Sequence, residues 1–230
     1  MDANQYVFVH GMRQTRSILE RWGDDPWPVL RTWLLGAVLI ALGLLAGVTL
    51  AASLLTPDYG FHYGPTAGGG PSVERVLGVL GRNSLVLALH AFACIAGFIA
   101  GATLPLSAER RTGISRVIHE KARPIAFAWV IGVTCFSLLT QTLALGLVGS
   151  TIAADVGISV PLLVLTAMPH ALVELTAVFL PMAAWTLASR RGEWDQLLAA
   201  TFVTVAIAIP MLVIAATWEV YVWPHLLFAV

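Results

Sequence analysis

The sequence predicts an all-α fold: a polytopic transmembrane helical bundle of about five spans, with a broken fourth helix. Three observations lead there. Of the 230 residues, 58% are hydrophobic and only 11% charged, where a soluble domain carries about 25% charge. Five stretches are nearly free of charge, each long enough to cross a hydrocarbon core of ~30 Å. Finally, the Lys and Arg residues outside those stretches alternate in number along the chain. Two regions follow, an amphipathic cytoplasmic amino-terminal segment over 1–31 and a transmembrane domain over 32–230.

In the amino-terminal segment Arg13, Arg16, Arg21 and Arg31 are interleaved with Val7, Phe8, Met12, Leu19 and Trp22. This pattern suits a helix lying in the membrane interface, or a partly ordered tail. The segment is polar and mixed, so the first span is expected to act as its own insertion signal. Trp27 and Trp33 fall where an aromatic belt belongs.

Span one covers 32–55, and its Gly43 and Gly47 form a small-xxx-small pair. A loop over 57–81 follows, with Gly68, Gly69 and Gly70 in a run and a short helix around 73–80. Span two covers 83–106, where Asn83, His90 and Gly97 recur every seven residues and Gly101 follows. These four share one face, either as a packing seam or as part of a polar site. Residues 107–123 hold Arg110, Arg111, Arg116, Lys121 and Arg123, which suggests a short basic helix on the cytoplasmic surface. Span three starts at Pro124, is interrupted by Gln141, and leaves 147–154 for an outer turn. The small-xxx-small pairs serve contacts within one protomer or between the protomers of a homo-oligomer.

The fourth stretch, 157–189, is long for one span and has no charged break for two. Pro161 and Pro169 predict a helix break at Pro169, with a re-entrant segment before it. His170 and Glu174 are four apart and so share a helix face. Arg190, Arg191, Glu193 and Asp195 make a charged turn. Span five covers 196–221, with Pro210 inside and Glu219 near its end. Cys94 and Cys135 both read as small core residues without a disulfide.

Lys and Arg number four, two, five, zero and two in successive non-span segments. This alternation predicts a cytoplasmic amino terminus and an extracytoplasmic carboxyl terminus. A six-span alternative would split 147–189 and leave an uncharged inner turn at Pro169. In the five-span arrangement Asn83, His90, His170, Glu174 and Glu219 come to similar depths, which predicts one polar cluster open to the outside. Charged groups in a span are costly, so such a cluster has three chemical readings. It could staple helices together, with His170 bonded to Glu174 or Glu219. It could hold a metal through His90, His170, Glu174 and Glu219 in an intramembrane metalloenzyme, although no H-E-x-x-H pattern is present. It could also titrate along a transport path, although no inverted repeat is visible. No nucleophile elbow, P-loop or dinucleotide fingerprint occurs. No basic domain exists to bind nucleic acid, and no cofactor or resident metal is expected.

The stretch Met168-Pro169-His170-Ala171-Leu172-Val173-Glu174-Leu175 is similar to the Pro-His-Gly-x-x-Glu signature of the stage II sporulation protein M family. Ala215-Ala216-Thr217-Trp218-Glu219-Val220, followed by Pro224, resembles that family's closing Ala-x-x-Glu-Ala segment. Asn83 opening span two, followed by Gly97 and Gly101, also fits. Ala171 stands where the family usually has Gly, and the Asn-Gly pair expected after span two is absent. The resemblance implies a multi-pass protein of the bacterial inner (cytoplasmic) membrane. It further implies a non-catalytic anchor or scaffold for an envelope complex that remodels peptidoglycan. In endospore formers the family member anchors two cell-wall-degrading proteins, stage II sporulation proteins D and P. The expected partners are the lipid bilayer and envelope proteins such as cell-wall hydrolases. A permease-type subunit of a transport system is the runner-up.

Overall fold

The computed structural model describes residues 3–103 and 113–230. Seven helices account for most of them: α1 Ala3–Asp24, α2 Trp27–Leu54, α3 Val73–Phe98, α4 Gly113–Val156, α5 Val160–Arg191, α6 Leu197–Tyr221 and α7 Trp223–Leu227. A π-helical turn, Ile99–Thr103, extends α3. Among the described residues there is no strand. Five helical stretches are long and apolar enough to cross a membrane: Trp27–Leu54, Val73–Thr103, Phe127–Val156, Val160–Arg191 and Trp194–Tyr221. Large apolar side chains stand outward along them. Leu39, Phe92, Trp129 and Phe202 are all more than 60% exposed. Apolar surface on that scale belongs against lipid, and the chain is a multi-pass membrane protein.

Several boundaries differ from the sequence expectation, each for a physical reason. The break expected at Pro169 is absent, because α5 runs without interruption from Val160 to Arg191. A proline deletes one backbone donor, and a helix packed in a membrane bundle tolerates that loss. No segment before Pro169 is re-entrant. The basic stretch from Gly113 is not a separate surface helix but the beginning of α4, which continues through Pro124; Arg110 and Arg111 lie outside the described residues. The turn expected over 147–154 is helical. The reversal falls instead at Gly157, whose φ of +76° is a left-handed conformation that favours glycine. There the amides of Gly157 and Ile158 both donate to the Ala153 carbonyl, at 2.9 and 3.0 Å. The short helix expected near 73–80 is the first part of α3.

Each of the five spans contributes to two compact units. Unit one comprises Met1–Gly36, Leu87–Thr134 and Leu180–Ala206. In it α1 buries Thr15 and Ile18, and Gln14 donates to Asp195 at 2.8 Å. Trp33 is buried edge-on against Trp22, with ring centroids 5.1 Å apart, whereas Trp27 is exposed. Cys94, Phe98, Ala188 and Leu197 form its core, and the Cys94 thiol donates to the Pro181 carbonyl at 3.0 Å. Close approach needs small residues here: an added methyl at Gly97 would meet the Trp185 indole at 2.6 Å, and one at Gly101 would overlap Trp194.

Unit two comprises Ala37–Val86, Cys135–Phe179 and Ile207–Val230. Ile152, Ala153, Leu163, Trp223 and Leu227 form one core cluster. Val79, Ala216 and Val220 form a second. Here α2 and α4 approach closely at Gly146, where an added methyl would lie 2.6 Å from the Ala51 Cβ. Gly47 packs on Thr142, but Gly43 has nothing within 4 Å, so the expected glycine pair is only half used. Cys135 is exposed, not a core residue, and no disulfide joins it to Cys94. Gln141, the polar interruption of span three, donates within its own helix to the Ser137 hydroxyl at 2.9 Å. Pairing inside the helix lets it remain in an apolar span.

Candidate functional site

The strongest candidate lies wholly in unit two, where α3, α5, α6 and α7 bring polar side chains to one cavity of about 440 Å3. Arg82 and Asn83 enter from α3, His170 and Glu174 from α5, Glu219 from α6 and Trp223 from α7. Most of the rest of the wall is apolar, with Leu45, Val48, Val148, Ile152 and Leu163, and Tyr63 lines it as well. Helical geometry explains the convergence. His170 and Glu174 stand one turn apart on α5, and α7 opens at Trp223 just after α6, which carries Glu219, ends at Tyr221.

Glu174 is the centre of the charged group. The Glu219 carboxyl, the Asn83 amide and the Arg82 guanidinium all act on it, and Arg82 acts on Glu219 as well. Both carboxyls are half-buried. Both carboxyls feel the charge of the Arg82 guanidinium, and among the described residues no salt bridge joins Arg82 to either. The Asn83 amide nitrogen lies beside Glu174, buried and without a well-formed hydrogen bond. A second cavity, of about 200 Å3, shares Gly64, Val79, Arg82 and Glu219 with the first and adds Arg75.

His170 is 6% exposed and bonds to neither glutamate. Its ring packs on Trp223, with centroids 5.1 Å apart. Its Nδ1 is buried without a partner. The Trp223 indole donates to the Thr166 hydroxyl at 3.2 Å, which fixes the ring that His170 rests on. Pro169 lies inside α5, next to His170.

Thus Asn83, His170, Glu174 and Glu219 share unit two, whereas His90 belongs to unit one. His90 is fully buried and not without a partner. Among the described residues no three His, Cys, Asp or Glu side chains come together as metal ligands. Two lining residues, Arg82 and Trp223, were not singled out from the sequence. A signal for Arg82 was present: it directly precedes Asn83, the polar residue that opens an otherwise apolar run.

A second feature of unit two lies outside the spans. The 55–72 connection is fastened at several points. The Asp58 amide donates to the Thr151 hydroxyl at 3.0 Å. Asp155 takes the His62 ring at 2.9 Å and the Thr66 hydroxyl at 2.8 Å. Arg75 donates to the Gly64 and Gly68 carbonyls at 3.3 and 2.7 Å. Tyr59 and Phe61 stand exposed on this fastened loop, at 73% and 61%.

A family model described as Stage II sporulation protein M matches residues 114–224. The match takes in His170, Glu174 and Glu219. No curated protein and no solved structure matches the chain.

Proposed function

The chain is a membrane protein of the stage II sporulation protein M family by residues 114–224, and from that premise we propose a non-catalytic anchor for a bacterial envelope complex. The observation that carries this reading is the fastened 55–72 connection. A mobile loop loses entropy when a partner orders it, and a loop already held does not. Tyr59 and Phe61 are the kind of rigid aromatic groups that anchor protein interfaces. The partner class is a peptidoglycan-remodelling protein on the extracytoplasmic side of the inner membrane.

The basic residues support the orientation. Among the described residues nine Lys and Arg belong to unit one, four in the amino-terminal segment, three over 116–123, and Arg190 with Arg191, against Arg75 and Arg82 in unit two. Lys and Arg are retained on the cytoplasmic side, which sets the amino terminus there. An odd number of spans then delivers the carboxyl terminus outside.

The test is gentle purification from native membranes, comparing wild type with a Tyr59→Ala/Phe61→Ala double variant. The expected result is co-purification of a cell-wall hydrolase with wild type, reduced at least tenfold in the variant. Wild type that brings no envelope protein, or a variant that retains it fully, overturns the reading.

The cavity favours a second reading, a permease-type subunit, because intramembrane carboxyls commonly mark ion or substrate paths. The Glu174→Gln variant separates the two. An anchor that still folds keeps its partner, whereas a transporter reaches the membrane and loses flux.

A further inference from the structure

We infer that the unit-two cavity is a binding site for an aminophospholipid, a lipid whose headgroup carries both a phosphodiester and a primary ammonium. This inference does not rest on the anchor reading: it turns on the polar groups of the cavity, although Tyr63 and Gly64 of the 55–72 connection line that cavity too.

Size and lining come first. At about 440 Å3 the space falls within the ~300–1,000 Å3 of small-molecule sites. One wall, built by Leu45, Val48, Val148, Ile152 and Leu163, offers an acyl chain only apolar contacts. In a chain crossed by five spans, the most abundant molecule with such a chain is the bilayer lipid itself.

The polar end narrows the choice. Its groups gather at one place and leave two buried nitrogens, Asn83 Nδ2 and His170 Nδ1, without a hydrogen bond. Arg82 and the Asn83 N–H call for an oxygen-rich acceptor, and a phosphodiester supplies two oxygens to a guanidinium in fork geometry. Glu174 and Glu219 offer carboxyl oxygens to a cationic donor, and an ammonium supplies three N–H groups. His170, buried and with Nδ1 unpartnered, lines the same space. It can accept from the ammonium or donate to the phosphate according to its tautomer.

Single-charge alternatives leave part of this set unmet. A purely anionic lipid answers Arg82 but opposes two carboxyls. A simple alkylamine answers the carboxyls and leaves Arg82 and Asn83 bare. A quaternary ammonium carries charge but no N–H to donate. The adjoining space of about 200 Å3, which shares Arg82 and Glu219 and adds Arg75, gives the headgroup room beyond the main cavity.

The test uses the full chain, purified in a neutral detergent and stripped of lipid. It is titrated with phosphatidylethanolamine, phosphatidylcholine, phosphatidylglycerol and an alkylamine, all of one chain length. Bound ligand is counted by native mass spectrometry, and the thermal unfolding midpoint is followed in parallel. The expected result is one tightly held phosphatidylethanolamine, bound at least tenfold more tightly than each of the other three. A smaller preference, or a preference for any of the others, overturns the proposal and reduces the cavity to a slot for any lipid tail. A Glu174→Gln/Glu219→Gln double variant adds a positional readout. It should bind phosphatidylethanolamine and phosphatidylcholine alike; undiminished selectivity in a folded variant also overturns the assignment. The wild-type comparison decides the question even where the variant does not fold.

Discussion

Replacing Gly146 with alanine sets a methyl group 2.6 Å from the Ala51 Cβ and 3.2 Å from the Ala52 amide nitrogen. Carbon atoms in contact settle at about 3.5–4.0 Å. The two helices must therefore part by roughly 1 Å, and a gap of that order forfeits a quarter to a half of each neighbouring dispersion contact. Neither Ala51 nor the Ala52 backbone has a side-chain rotamer that could move away, so the strain cannot be relieved locally. Overpacking of this kind costs about 1–3 kcal/mol. Alanine is also the better helix former by about 1 kcal/mol, which offsets part of the loss. The control is Gly43→Ala, the same chemical change on α2, where nothing lies within 4 Å. Subtracting one from the other removes the propensity and leaves the packing. Reversible unfolding in mixed micelles, followed by the fluorescence of the eight tryptophans, should place Gly146→Ala about 1–3 kcal/mol below Gly43→Ala. Equal stabilities, within about 0.5 kcal/mol, would refute the argument that Gly146 is where α2 and α4 touch.

Two other outcomes are expected. Asp155→Asn leaves an amide where a carboxylate accepts from both His62 and Thr66, which should weaken the hold on the 55–72 loop by about 1–3 kcal/mol. Limited proteolysis should then cut this loop faster while global unfolding changes little, and an unchanged cleavage rate would show that these bonds do not hold it. Single cysteines at Ser17 and Phe228, introduced into a Cys94→Ala/Cys135→Ala background, should react with impermeant maleimide from opposite faces of sealed membranes. Labelling of both from one face would remove the five-span topology.

The spans were readable in the sequence because a bilayer imposes a crude requirement, some twenty residues with almost no charge. Their ends were not, because helices outlast the apolar run that identifies them. The α4 helix begins at Gly113, well before Phe127, where its apolar span starts. Proline misled in the same way. Pro124 and Pro169 each remove one hydrogen bond, but only the packed surroundings decide whether a helix stops there, and neither helix does. Depth along a span can be counted from the sequence, and Asn83, His170, Glu174 and Glu219 do occur in one unit. Depth was a poorer guide to His90, two turns along α3 from Asn83 and assigned to the other unit. Direction was less accessible still: the helical period put His170 on the face of Glu174, yet its ring rests on Trp223. The close approach at Gly146 could not have been chosen from sequence, because a glycine contact depends on which helix lies opposite.

The pairing of Gly97 with Trp185 and of Gly101 with Trp194 makes these positions interdependent. The largest side chain sits against the smallest, so neither member of a couple can drift alone: growth on the glycine side must be answered by shrinkage of the indole. Randomising both members of one couple together should return survivors that conserve their combined volume.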